Sequence, residues 1–236
     1  QGFDFLKTDN VSRSTIEYYG TDNAVTAQTN NVRSLEHATR TLGLGLMNCS
    51  AQNTICILNA AHSVSMRTSP DYRKGQLATS KSQVLQSVFN VCWLGQTLWP
   101  DHDMFHSSDK QVALTMAVTK ALGGGPVYRS DAPDAFNKAI VMPLCYGDGL
   151  LIRPQAPGVP VPESIFSDPL YEPSPYKVIA PLTNQSCAIT VYHLNLKKDL
   201  SVSGLISAND YTHGSAMEQP YRGPWKVPAQ GLVLYD

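Results

Sequence analysis

Apolar and polar positions alternate along the chain with two different periods. From Asp22 to Leu44, Val25, Val32, Leu35, Ala38 and Leu42 recur at three- and four-residue spacings, with Gly43 and Gly45 at the end, which predicts a helix. Ser80 to Leu94 repeats the pattern through Val84, Leu85, Val88, Val91 and Cys92, and Ser108 to Leu122 is a third helix. Between them lie short apolar runs that predict strands: Phe3 to Thr8, Thr54 to Ala60, Val64 to Thr68, Leu98-Trp99 and Pro126 to Arg129. Strands that alternate with helices pair in parallel, in an open sheet or a barrel, so the fold class is α/β. The pattern changes after Met142. Pro143 to Pro175 is rich in Pro and Gly and predicts a linker or covering loop. Beyond Tyr176, the alternating segments Ala188 to His193, Leu200 to Ile206 and Gly231 to Tyr235 suit a small antiparallel β domain.

Composition narrows the function classes. The 236 residues carry 18 Lys and Arg against 19 Asp and Glu, a formal net charge of −1. This balance, without a basic tract, argues against nucleic acid or an anionic membrane surface as partner. No apolar run reaches the roughly 20 residues that span a bilayer. The five cysteines form no close pair of metal-ligand spacing, and Cys56, Cys92 and Cys145 sit in apolar strings, as buried free thiols do. His62, His102 and His106 lack a third ligand at zinc spacing, so neither a metal nor another cofactor is expected. Asn-x-Ser sequons at Asn10, Asn48 and Asn184 lean towards a secreted glycoprotein, with a cytoplasmic protein as the alternative.

In parallel α/β folds, reactive residues gather at the C-terminal ends of strands. The predicted strand ends here are Lys7-Thr8-Asp9-Asn10, Asn59-Ala60-Ala61-His62, Arg67-Thr68-Ser69-Pro70-Asp71, Trp99-Pro100-Asp101-His102-Asp103 and Arg129-Ser130-Asp131. Four of these five carry Asp, often beside Lys or Arg. Carboxylates next to fixed cations suit glycoside chemistry, in which one must stay ionised and another must carry a proton. Asp at a strand end is also a common turn former or helix cap. Lys7 shares a strand face with Asp9 and favours its ionised form. Trp99 can stack on a sugar or belong to the core beside Leu98. Asp101 and Asp103 can share hydroxyl contacts, or Asp103 can cap a turn. Gly123-Gly124-Gly125 follows a helix and precedes a strand, the reverse of a phosphate loop, so it reads as a helix C-cap.

Trp99 to Ser107, WPDHDMFHS, resembles the segment QPDWDMFHS of raffinose synthases and seed-imbibition proteins, which belong with the α-galactosidases of glycoside hydrolase family 36. The likeness continues in order through Gly123 to Pro133, Asp148 to Arg153 and Ile165 to Pro169. It implies that residues 1–172 are the C-terminal part, strands 4 to 8, of a catalytic (β/α)8 TIM barrel, and that 173–236 form a C-terminal antiparallel β domain. By the same resemblance Asp9 is the nucleophile and Asp71 the acid/base, with Lys7, Arg67, Trp99, Asp101 and Asp103 binding substrate. The implied activity is that of a retaining glycosidase acting on α-galactosides of the raffinose type through a covalent galactosyl–Asp9 intermediate. Galactosyl transfer of the raffinose-synthase kind and a non-catalytic sugar-binding relative are the alternatives.

Two departures stand out. The predicted second and third strands are joined by Ala60 to Ser63, too short for a crossover helix, which opens Asp101 as an alternative acid/base. A barrel also needs about 250 residues, so the expected partners are an oligosaccharide and the missing N-terminal part of the enzyme, on a separate chain or in a segment outside this sequence.

Overall fold

The computed structural model describes residues 2–20, 23–218 and 222–236. Helix α1 (Ala24–Thr41) starts where Asn23 accepts hydrogen bonds from the backbone N–H groups of Val25 and Thr26. It stops at Gly43, whose φ of +67° suits glycine. The predicted first residue of this helix, Asp22, lies outside the described residues. Its buried side is less apolar than the sequence pattern implies: Gln28, Val32, Glu36 and Thr39 face inward, while Val25 and Leu42 are exposed.

Four strands, β1 (Phe5–Thr8), β2 (Gly45–Asn48), β3 (Ser65–Arg67) and β4 (Trp99–Asp101), form one parallel sheet in the order β1-β2-β3-β4. The α/β class is therefore correct, as an open four-stranded sheet. Among the described residues no barrel closes. The helices α2 (Thr54–Leu58), α3 (Leu77–Leu94) and α4 (Ala113–Gly123) separate or follow the strands. Leu46 is fully buried, and Met66 joins Val32 of α1, Cys56 of α2, Leu94 of α3 and Leu98 in one apolar cluster.

Two of the predicted strands differ. Thr54 to Ala60 contains α2, a helix whose N-cap Asn53 accepts the Cys56 amide at 2.8 Å. A five-residue apolar run reads equally as buried strand or buried helix, and here the cap decides. The true neighbour of β1 is β2, four residues directly behind α1. The connection from β2 to β3 thus spans residues 49–64 with its own helix, and the apparent shortfall at Ala60 to Ser63 disappears. Pro126 to Arg129 does not join the sheet as a strand. Arg129 makes a single parallel bridge with Phe105, and the Ser130 amide reaches the Phe105 carbonyl at 3.0 Å. At the end of α4, Gly124 adopts the left-handed conformation expected of a C-cap (φ +65°).

A short helix, α5 (Lys138–Val141), precedes the stretch Pro143 to Pro175 read as loop, and that stretch is not all loop. It supplies β5 (Val159–Pro160) and α6 (Pro162–Ile165). β5 pairs antiparallel with β6 (Tyr176–Pro181), which pairs with β7 (Cys187–Tyr192). Leu200 to Ile206 and Gly231 to Tyr235 are not strands; the first leads into α7 (Ala208–Thr212) through a Ser207/Asp210 capping box. Tyr176, Val178, Tyr192 and Leu194 of the antiparallel region pack with Val84, Val88, Phe105 and Met116 in a shared core. The five cysteines are free; Cys56 is buried, and Cys92 and Cys145 are half-buried. Among the described residues, no helix is long and apolar enough to cross a membrane, and no group of three or more His, Cys, Asp or Glu is placed to hold a metal ion.

Candidate active site

Strand register decides which side chains meet. Lys7 pairs with Met47, Met47 with Ser65, and Arg67 with Asp101, so these side chains share one face of the sheet. Lys7 and Asp101 lie on the two outermost strands, three strand spacings or about 14 Å apart if the sheet were flat. Their charged atoms nevertheless approach to 3.4 Å. The sheet is therefore curled, and this face is its concave side.

Arg67 lies at the centre of the concave face. Its guanidinium bonds Asp103 at 2.6 Å and Asp71 at 3.2 Å and stands 3.8 Å from Asp101. Burial opposes its charge, but Asp103 and Asp101 outweigh that and raise its pKa. The Nε atom is buried and has no hydrogen-bond partner. Tyr128 donates to Asp101 (2.7 Å) and accepts from Lys7 (2.5 Å), and the Lys7 ammonium also lies over its ring. Asp103 has φ +63° and uses both carboxylate oxygens, one on Arg67 and one on the Tyr72 amide at 2.6 Å. Beneath this layer, the buried Lys120 donates to the carbonyls of His102 (3.0 Å) and Asp103.

Asp9 and Asp71 sit at the rim. Both line one cleft of about 710 Å³ together with Arg67, Ser50, Gln52 and Arg73. Asp9 accepts from the Ser50 hydroxyl at 2.8 Å and from the Asn10 amide at 2.7 Å; these bonds, with the nearby Arg67 charge, lower its pKa against the opposing effect of burial. It is held as a carboxylate. Asp71 is 76% exposed and leans on Arg67. Of the seven residues singled out in the sequence, six thus converge: Lys7, Asp9, Arg67, Asp71, Asp101 and Asp103. Trp99 does not. It sits at the start of β4, below the strand ends, with the Arg153 guanidinium 4.2 Å from its ring centroid.

Comparison with known proteins decides the family. The family model described as "Raffinose synthase or seed imbibition protein Sip1" matches residues 22–194. This chain belongs to that family. It is 31% identical to the probable galactinol–sucrose galactosyltransferase 1 of Arabidopsis thaliana over 126 residues, 53% of this chain and 17% of that protein. With the galactinol–sucrose galactosyltransferase of Oryza sativa subsp. japonica it shares 33% over 89 residues, 38% of this chain and 11% of the relative. The stachyose synthase of Pisum sativum gives 32% over 89 residues, 38% and 10%. The chain therefore spans less than a fifth of the curated relatives it matches. Arg67, Asp71, Asp101 and Asp103 lie inside the family match; Lys7 and Asp9 precede it.

Within this member of the raffinose synthase family, several site residues escaped the sequence reading. Tyr128, Ser50 and Lys120 carry no strand-end signature, although Tyr128 falls inside the resembling segment Gly123 to Pro133. Lys120 is fully enclosed, and burial lowers its pKa to about 8 although Asp101 and Asp103 pull it upward. Asp131 serves a different purpose from the other strand-end carboxylates. It accepts from the Ser107 amide and hydroxyl and from the Ser108 amide, at 2.8–2.9 Å, and fastens a turn. The concave face as a whole offers an ionised carboxylate, an exposed carboxyl across the same cleft and a dense set of fixed charges between them.

Proposed function

We propose that this chain supplies the catalytic carboxylates of a retaining galactosyl-transferring enzyme that uses raffinose-type sugars. The observation that carries the reading is the shared cleft: Asp9, held ionised by Ser50 and the Asn10 amide, lines the same opening as Asp71, with Arg67 between them. Asp9 attacks the anomeric carbon of an α-galactosyl donor while Asp71 gives its proton to the departing oxygen. The resulting galactosyl–Asp9 ester is then opened by an acceptor hydroxyl, whose proton passes to Asp71. Arg67, Lys7, Asp101 and Asp103 form the charged floor on which sugar hydroxyls are oriented. Trp99, set apart from this floor, acts in packing against Arg153.

Transfer is favoured over hydrolysis because relatives across three plant species carry galactosyltransferase or synthase names. The same reading makes the four parallel strands an arc of a (β/α)8 barrel at residues 1–172, with 173–236 as an appended β domain. The unpaired outer edge of β1, with Phe3 and Phe5 exposed, and the apolar recess of Phe5, Met47, Val64 and Val127 support the view that further strands of the same enzyme complete it.

The test is incubation of the enzyme with galactinol and sucrose, followed by chromatography. Raffinose formation supports the reading. Free galactose alone makes the enzyme a hydrolase, and neither product, with an aryl α-galactoside also left intact, makes it a non-catalytic sugar-binding relative.

A further inference from the structure

Asp71 stands on a loop whose fastening lies one residue further along. Tyr72 is buried, and its ring stacks on His106 with centroids 5.9 Å apart and an interplanar angle of 26°. Its amide donates to Asp103 at 2.6 Å, and its phenol donates to Oδ2 of Asp109 at 2.7 Å. Oδ2 also accepts the amide of Gly75 at 2.9 Å, where the chain turns with φ +71°. The other oxygen of Asp109 accepts the Gln111 amide at 3.0 Å, and its carbonyl accepts the Ala113 amide that begins α4. Asp109 is itself buried. One carboxylate thus ties both ends of the segment Tyr72 to Gly75 to the start of a core helix.

We propose that Asp109, acting through Tyr72 and Gly75, is the positioning residue that fixes the acid/base Asp71 over the cleft. The inference rests on the reading of Asp71 as acid/base. The side chain of Asp71 is exposed and is held on one side by Arg67, so the place of its Cα is set by the backbone at Tyr72. A proton donor acts only within hydrogen-bond reach of the departing oxygen, and a displacement of about 1 Å can cost on the order of 10²-fold. Among the described residues, the hydrogen bonds of Asp109 go to Tyr72, Gly75, His106, Gln111 and Ala113, none of which lines the cleft, so its effect should follow proton delivery and leave nucleophilic attack alone.

The experiment compares Asp109→Asn, Tyr72→Phe, Asp71→Ala and the double variant Asp71→Ala/Asp109→Asn in the whole enzyme. Each is assayed with galactinol, whose leaving group needs protonation, and with 4-nitrophenyl α-galactoside, whose leaving group does not. Asp109→Asn should slow galactinol turnover by about tenfold or more, the worth of a hydrogen bond to a charged group, and change the aryl substrate little. It should add nothing in the Asp71→Ala background. Tyr72→Phe, which deletes one hydroxyl and keeps the ring, should show a smaller loss of the same kind. Amide hydrogen exchange supplies a readout independent of turnover: residues 72–75 should exchange faster in Asp109→Asn while α1 is unchanged. Equal slowing of both substrates, additive losses in the double variant, or unchanged exchange at 72–75 would overturn the proposal. If Asp71→Ala itself shows no leaving-group dependence, the acid/base reading falls. Exchange then decides the tether alone: faster exchange supports it and unchanged exchange ends it.

Discussion

Two buried cations, Arg67 in the parallel sheet and Lys177 in the antiparallel one, show what separates the proposed reactive centre from a structural one. Both are nearly sealed from solvent and both face carboxylates. Lys177 meets Asp210 at 2.7 Å, the Leu205 carbonyl at 3.0 Å and the carboxylate of Glu163. Three donors meet three acceptors, so its capacity is spent. Burial works against the ammonium, yet Asp210 and Glu163 outweigh it and raise its pKa. Arg67 has five N–H groups, and its buried Nε–H makes no hydrogen bond, facing Oδ2 of Asp101 only across 3.8 Å, while the side chain lines an open cleft. An unpaired buried donor is rare and calls for a reason. A saturated centre holds elements together, whereas an unsaturated one at strand ends can still receive a ligand.

The largest effect should come from the rim of the Arg67 centre. Asp9→Ala removes the proposed nucleophile and should abolish galactosyl transfer with little change in thermal unfolding, because Asp9 is exposed and its bonds to the Ser50 hydroxyl and the Asn10 amide lie at the surface. Added azide should restore turnover as β-galactosyl azide. Transfer that survives in Asp9→Ala would remove the chemical role of this cleft. Arg67→Met is next. It leaves Asp103 buried without its cation and Asp101 with Lys7 in place of two cations, a loss of about 3–5 kcal/mol, and should also depress turnover of the protein that remains folded. Lys177→Met should lose stability on the same scale, about 3–5 kcal/mol, yet keep kcat per folded molecule. Urea titration and active-fraction kinetics on the pair test the contrast. A matching fall in kcat for Lys177→Met would refute it.

The Arg67 centre was half legible in the sequence, for definite reasons. Lys7-x-Asp9 and Arg67 with Asp71 are local pairs at predicted strand ends, where position made them candidates and the family resemblance assigned their roles. Their meeting with Asp101 and Asp103 needs the sheet to curl, and Lys7 reaches Tyr128 across 121 positions of chain. No local pattern carries that contact. Tyr128 was hidden because Pro126 to Arg129 alternates like a strand yet makes one bridge only. β2 was hidden because four residues behind a helix give no period to detect, while Thr54 to Leu58 offered a more apolar decoy. The antiparallel centre was less legible. Asp210 lies just beyond Leu200 to Ile206, which reads as a strand and is not one, and β5 is two residues long inside a Pro-rich stretch. In Asp131, the strand-end rule found a carboxylate whose bonds all go to a turn.

A smaller effect follows from His102, which lies on the helix-facing side of β4. It is fully buried, receives or gives hydrogen bonds at Ser87 (2.6 Å) and Thr68 (3.3 Å), and would collide with any side chain at Gly123. Burial first, then the Lys120 charge, lower its pKa to about 3, against an opposing pull from Asp101. Between about 3 and the ordinary histidine value of about 6.5 the unfolded chain binds a proton that the folded chain refuses. Stability should therefore fall as pH drops through this window, by up to about 1.4 kcal/mol per pH unit. Carboxylates such as Asp109 and Asp131, whose pKa values are lowered by their amide and hydroxyl bonds against burial, add their loss only below about pH 4. Urea midpoints between pH 4.5 and 6.5 isolate the histidine. A flat profile there would show that His102 takes its proton without unfolding.

The smallest effect tests whether the Lys177 centre has one essential partner or two. The Glu163 side chain is 63% exposed at the first turn of α6, whereas that of Asp210 is 3% exposed. An exposed carboxylate surrenders little solvation and gains little from its ion pair, so Glu163→Gln should cost under about 1 kcal/mol. Glutamine also keeps an oxygen that can accept from the ammonium, so the third donor need not be orphaned. Asp210→Asn differs on both counts. It leaves the Lys177 charge buried beside a neutral amide and weakens the capping box that starts α7, for a cost of several kcal/mol. Thermal unfolding of the two variants at low and at high salt compares them directly. Only Glu163→Gln should converge on the parent as salt rises, since screening acts on the exposed pair. Equal losses in both variants would mean that the three charges act as a unit.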